Sequence, residues 1–205
     1  VTVAEDWPVV ADDAPSPFRQ RLLDGLAASI GERGYRETTV ADIVRHARTS
    51  KRTFYSQYSS KEECFIELLA HGNREMIARI LEAVEPEADW QVQIRQAVDA
   101  WVAHIEGRPA ITLSWIRELP ALGHDVRTLQ RHGMMAIVDM FVDISRNPGF
   151  RRAHIAPIAP QMAVVLFGGL RELSALTVED GADVRDIVAT AVAASIAVLG
   201  AGRAD

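Results

Sequence analysis

Hydrophobic positions recur at intervals of three and four residues through almost the whole chain, the spacing of amphipathic helices. Phe18, Leu22, Leu23, Leu26 and Ile30 form the first stripe, and Gly34 closes it as a helix-end glycine. A short helix follows with Val40, Ile43, Val44 and Ala47 on its apolar side, and Thr39 with Asp42 has capping-box spacing at its start. Arg48, Thr49 and Ser50 separate it from a second short helix, Lys51 to Gln57, with Ser50 as N-cap. Ser60 and Glu63 repeat the capping-box spacing and open a long helix carrying Phe65, Leu68, Leu69, Met76, Ile80 and Val84 inward.

Beyond Pro86 the predicted helices lengthen. Residues 88–106 place Ile94, Val98, Trp101, Val102 and Ile105 on one side, and 110–119 carry Ile111, Trp115 and Ile116. Residues 123–146 align Val126, Leu129, Met134, Ile137, Phe141 and Ile144. Three prolines and a glycine between Asn147 and Pro160 predict a loop. Two last helices, about 160–178 and 182–201, are poor in charge on one side. No segment alternates with period two, so the predicted class is all-α.

Charge divides this helical chain. The 205 residues, enough for one large domain or two small ones sharing a core, hold 22 Lys and Arg against 28 Asp and Glu, a net charge of −6. A wholly basic nucleic-acid binder is thereby excluded. Residues 1–17 are acidic and proline-bearing, and are expected to form a flexible extension. Residues 18–61 reverse the sign: nine basic residues face four acidic ones, a net of +5 that leaves −11 for the rest. From Arg45 to Lys61 five cations stand with no anion, a local surplus that suits a polyanion at one end of an acidic body.

Other chemistries lack their residues. One cysteine, Cys64, gives neither a disulfide framework nor a multi-thiolate zinc site, and points to a reducing, cytoplasmic setting. The chain's start has no signal-peptide pattern. The longest charge-free run, Ile187 to Gly202, is 16 residues, short of the ~20 a spanning helix needs, so a buried helix and no membrane are expected. His46, His71, His104, His124, His132 and His154 include no pair at metal-binding helical spacing. Neither a Gly-x-Ser-x-Gly turn nor a phosphate-cradling glycine loop occurs, and Gly168-Gly169 reads as close helix packing. No catalytic residue, metal ligand or cofactor is therefore predicted, and an all-helical enzyme with an incidental basic end is the weakest reading.

Two short helices joined by three residues inside the basic segment form a helix-turn-helix. Val40, Ile43, Ala47, Phe54 and Tyr58 would fix the crossing, while Lys51, Arg52, Thr53 and Tyr55 would point outward to a major groove. Backbone N–H groups near Thr39 and Ser50 would meet phosphates, and Lys61 at the next helix start would reach the same strand.

The stretch Gly34-Tyr-Arg-Glu-Thr-Thr-Val-Ala-Asp-Ile-Val, then Ser50-Lys-Arg-Thr-Phe-Tyr, then Tyr58-Ser-Ser-Lys-Glu-Glu resembles the DNA-binding domain of the tetracycline-repressor (TetR) family, over residues 18–70. The resemblance implies about nine helices: a three-helix DNA-binding head at 18–63 and a larger effector-binding, dimerising body at 64–205. It implies a homodimeric repressor that binds a palindromic operator in double-stranded DNA and is released by a small effector. It also implies base contacts from Lys51, Arg52 and Thr53, and phosphate contacts from Thr39, Ser50, Tyr55 and Lys61. A helix-turn-helix activator or architectural protein without an effector is the alternative.

Two departures stand out: the family usually has glycine where this chain has Arg48, and often where it has Arg52. Trp101, Trp115, Met134, Phe141 and Phe167, with Met135, are candidates to line an apolar effector pocket, and His104, Arg117 and Glu118 to orient its occupant. Val165, Gly169, Leu173 and Leu176 on one helix, with Val188, Val192, Ser195 and Leu199 on the next, are expected to form a four-helix dimer interface with a second copy. Arginine at 52 can pair bidentately with guanine, so Arg52→Ala should lose about 1–3 kcal/mol of discrimination. Titrations on operator and random DNA check this, and equal weakening on both would refute it.

Overall fold

A computed structural model describes residues 15–122 and 124–201. Among them are ten α-helices: α1 (Pro17–Glu37), α2 (Val40–His46), α3 (Lys51–Tyr55), α4 (Lys61–Ala83), α5 (Trp90–Gly107), α6 (Pro109–Arg117), α7 (His124–Ile144), α8 (Pro148–Arg152), α9 (Pro160–Glu179) and α10 (Val188–Gly200). The all-α expectation holds. Most of the expected acidic extension, residues 1–14, lies outside the described residues, as do the side chains of His124 and Leu129.

Two apolar cores organise the chain. Leu22, Leu23, Leu26 and Ile30 of α1 meet Ile43, Phe54, Tyr58 and Phe65 in the head. Ile80, Ile94, Val102, Ile137, Phe150 and Phe167 belong to the larger core of the body. The two are not separate blocks. α4 gives Phe65, Leu68 and Leu69 to the head and Met76 and Ile80 to the body, while Leu119 and Val126, outside the expected head, join the head core.

Gly34 ends the regular run of α1 with φ 79°, and the Thr38 hydroxyl donates to its carbonyl at 2.7 Å. Glycine enters that left-handed conformation without the clash a Cβ would bring. The second expected capping box is shifted by one residue. Ser60 Oγ accepts from the Glu63 N–H at 3.1 Å, but the Glu63 carboxylate takes the N–H and hydroxyl of Ser59 instead, at 2.6 and 2.7 Å. These bonds hold the Glu63 carboxyl below its usual range.

The expected loop after Asn147 contains α8. Pro148 begins it, where its missing N–H is no loss, and Phe150 packs fully buried against Trp90. α10 starts later than expected, after a 3-10 turn at Val184–Ile187. By length and composition α9, not the charge-free run in α10, is the described helix apolar enough to cross a membrane, which is weak evidence by itself.

Gly25 is where α1 crosses α2. A Cβ there would lie 2.7 Å from the Ile43 carbonyl oxygen and 3.1 Å from Ala47 Cβ. Gly25→Ala should therefore push the helices apart and destabilise the head by about 1–3 kcal/mol. Denaturant melts followed by circular dichroism check this, and an unchanged midpoint would contradict it.

Candidate functional site

The helix-turn-helix is assembled by capping and burial. Thr39 Oγ1 accepts from the Asp42 N–H at 3.3 Å, and Asp42 accepts the Thr39 hydroxyl and N–H at 2.6 and 3.0 Å. These Thr39 bonds hold the Asp42 carboxyl below the usual carboxylate range. At the end of α2 the chain reverses through Arg48 at φ 50°. The Arg48 N–H donates to Arg45 O at 3.3 Å and the Thr49 N–H to Val44 O at 2.9 Å, the paired bonds of a Schellman turn. A non-glycine residue in this region costs about 1 kcal/mol.

Ser50 Oγ then accepts from the Thr53 N–H at 3.1 Å and shares a 2.7 Å bond with the Thr53 hydroxyl. Phe54, fully buried, seats α3. Lys51 and Arg52 are exposed, Thr53 is half-buried, and Tyr55 is 57% exposed with its ring edge-on to Phe54.

Ion pairing separates the cations of the head by task. Arg19 binds the buried Glu67, with Nε 3.2 Å from Oε1, and stacks over the Tyr58 ring, tying α1 to α4. Those bonds to Glu67 push the guanidinium further above its ordinary range. Arg33 pairs with Asp42 at 3.2 Å, Arg45 with Glu32 at 3.3 Å and Arg36 with Glu118 at 2.7 Å. Among the described cations of the head, Arg21, Arg48, Lys51 and Arg52 have no carboxylate within 4.0 Å, and Arg21 lies over the Phe18 ring, away from the other three. The unneutralised charge is thus concentrated on the turn and α3.

Lys61, an expected phosphate contact, is engaged within the head. Its ammonium donates to Tyr35 O at 3.0 Å, Arg36 O at 3.5 Å and Thr38 O at 2.8 Å, and sits 4.3 Å from the Tyr35 ring centroid. It clasps the end of α1 onto α4. The cause is local: α1 ends here, the Tyr35 carbonyl keeps one backbone donor, the Thr38 N–H at 3.2 Å, and the cation adds a donor to the carbonyls of this helix end.

In the body two adjoining cavities, of about 60 and 50 Å³, share Met76, Trp101 and Phe167 in their walls. The first also meets Phe141, and the second His104 and Trp115, so five expected pocket residues come together. Burial pushes His104 below the usual histidine value. Met134 packs on the body core but lines neither cavity. Glu118 lies elsewhere, held by Arg36 across the head–body seam, and Arg117 is taken by Glu172 and Glu179 at 2.8 and 2.7 Å. Sequence pattern missed Asn73, Arg108 and Arg171, which line the second cavity from three separate segments. It also missed Arg48 as an exposed cation beside α3.

On the expected dimer face, α9 presents an apolar ridge with Val165 65% and Leu176 49% exposed, and Gly169 exposed between them. Leu173 is partly buried on the body core. On α10 the stripe is shared with the protomer's own core. Val188, Val192 and Leu199 pack into this protomer's own core, and Ser195 and Leu199 line the first cavity. Gly168 and Gly169 have open space where a Cβ would stand, so neither serves close packing within the chain.

A capped, basic helix-turn-helix is thus joined to a helical body that holds two adjoining cavities. The family profile of bacterial regulatory proteins, tetR family, matches residues 22–68. The uncharacterized HTH-type transcriptional regulator YhgD of Bacillus subtilis (strain 168) is 28% identical over 144 residues, 70% of this chain and 75% of that protein. The fatty acid degradation regulator FadR of Bacillus halodurans superposes with a TM-score of 0.76 at 15% identity, covering 94% of this chain and 100% of that one. FadR of Bacillus subtilis, crystallised with stearoyl-CoA, gives 0.74 at 17% identity over 88% and 98%. Residues 22–68 thus match the DNA-binding segment of that family, and the chain as a whole shares the fold of these regulators.

Lys61→Met should lower the stability of the head by about 1 kcal/mol by removing its bonds to part-buried carbonyls, with little change in the salt dependence of DNA binding. Denaturant melts and affinities across a salt series separate the two. A slope reduced by about one phosphate would restore the DNA-contact role.

Proposed function

We propose that the protein is a homodimeric repressor released from a palindromic operator by a small apolar effector. Lys51 and Arg52, with Thr53 assisting, read base edges, while Thr39, Ser50 and Tyr55 meet phosphates. Arg48, exposed and unpaired on the turn, joins the phosphate contacts and offsets the conformational cost of its position by adding charge where the duplex lies. Two copies pair through the α9 ridge and set the recognition helices one DNA turn, ~34 Å, apart. The stearoyl-CoA complex of a neighbour of like fold supports an apolar occupant for the body.

One observation carries the effector reading: Trp115 lines the second cavity and packs on both the head core and the body core. Its helix, α6, runs into the 3-10 turn Leu119–Leu122, whose Leu119 is buried in the head. An occupant that displaces Trp115 therefore shifts α6 and Leu119 together and changes the angle of the head. Effector and DNA then favour different arrangements of one molecule, and each weakens the other by the same factor.

Gel shifts on the DNA flanking the protein's own coding region, with and without an apolar ligand that alters tryptophan fluorescence, test this. The expected result is ligand-dependent loss of the shift and an equal loss of ligand affinity on operator. Ligand affinity unchanged by operator would overturn the coupling.

A further inference from the structure

The two body cavities differ in chemistry. The first is walled almost wholly by apolar side chains, whereas the second brings Asn73, His104, Arg108 and Arg171 to its surface. Met76, Trp101 and Phe167 belong to both walls, so these three side chains divide the cavities and an elongated occupant would reach from one into the other by displacing them. We infer that the second cavity is the head-group end of a single effector site and takes a carboxylate, with an apolar tail in the first cavity. This rests on the effector reading above and names the ligand class it left open.

Three observations support the anion. Arg171 Nε is buried and its N–H has no acceptor. Among the described residues no carboxylate lies within 4.0 Å of its guanidinium, although those limits capture fourteen other pairs. Arg108 and Arg79 both rely on one partner, Glu75, at 3.0 and 2.7 Å, so that group leaves a positive excess. His104, held below its usual value by burial, adds no charge that an occupant must offset near neutral pH. A buried Nε–H without an acceptor is costly, and a carboxylate answers a guanidinium with two oxygens in the matching fork geometry.

The same surroundings limit the anion to one charge. The Asn73 amide N–H donates to Gly133 O at 3.3 Å, which fixes the side chain and leaves Oδ1, an acceptor, buried without a donor. That oxygen and the nearby Glu75 carboxylate would repel the second charge of a phosphate. A monocarboxylic acid meets the excess, and a phosphate monoester overshoots it.

Octanoate, octanol and octyl phosphate, titrated into the full-length protein while tryptophan emission is read, separate these chemistries. Trp101 and Trp115 stand in the cavity walls and report occupation directly. Octanoate should bind at least about tenfold more tightly than either analogue, the range of a charge-assisted hydrogen bond. Arg171→Gln should remove that margin while leaving octanol affinity unchanged, which also shows the variant folded, and Arg171→Lys should restore part of it. Equal affinities for octanoate and octanol, tighter binding of octyl phosphate, or a margin that survives Arg171→Gln would overturn the head-group assignment and leave the effector reading standing. Binding of none of the three would overturn both.

Discussion

The constraint on which the structure turns is that α4 belongs to two cores at once. Phe65, Leu68 and Leu69 are sealed into the head and Met76 and Ile80 into the body, along one uninterrupted helix of 23 residues. Such a helix is a rod of roughly 34 Å at 1.5 Å per residue. Close packing at both ends means that neither core can slide along it without opening a void. A repacking of the body must therefore tilt the rod, and the head with it. Arg19 bound to Glu67, and Lys61 bound to the carbonyls that end α1, fix the remaining head helices to this rod. The head moves as a piece because its polar groups are committed to holding it together.

That commitment also accounts for where the free charge lies. Arg33, Arg36 and Arg45 have carboxylate partners, and Lys61 is satisfied by main-chain oxygens. Arg48, Lys51 and Arg52 are left around the turn and α3, on an otherwise acidic protein. Sequence counting found five cations between Arg45 and Lys61, but pairing decides which of them a polyanion meets. The outer two serve the fold, and the middle three face outward.

How much of this was legible in the sequence depends on the range of the contact. Stripes of period three to four, and caps whose partners are three residues apart, placed nine of the ten described helices and the helix-turn-helix. α8 was missed because Pro148 reads as a breaker until Phe150 is seen buried against Trp90. Gly25 was invisible because its reason is the Ile43 carbonyl on another helix. The cavity's aromatic walls were legible as large apolar positions, but its polar end was not. Asn73, Arg108 and Arg171 are unremarkable along the chain and meet only when α4, the α5–α6 junction and α9 converge. For Val188, Val192 and Leu199 a stripe shows that a face is apolar, not which surface covers it, and the protomer's own core covers part of it.

Besides α4, an ion pair and an apolar seam join head to body, and their magnitudes decide which of the two transmits a change. Arg36 with Glu118 is one, a bridge whose arginine is 73% exposed. An exposed pair of this kind contributes about 0–1 kcal/mol and is screened by salt. The other is the apolar seam of Trp115, Leu119 and Val126 against the head core. A fully buried large apolar side chain is worth about 1.5–3 kcal/mol, and salt does not weaken it. The seam therefore outweighs the bridge several-fold. Since Trp115 is also a wall of the second cavity, the residue that would feel an occupant first is part of the stronger link.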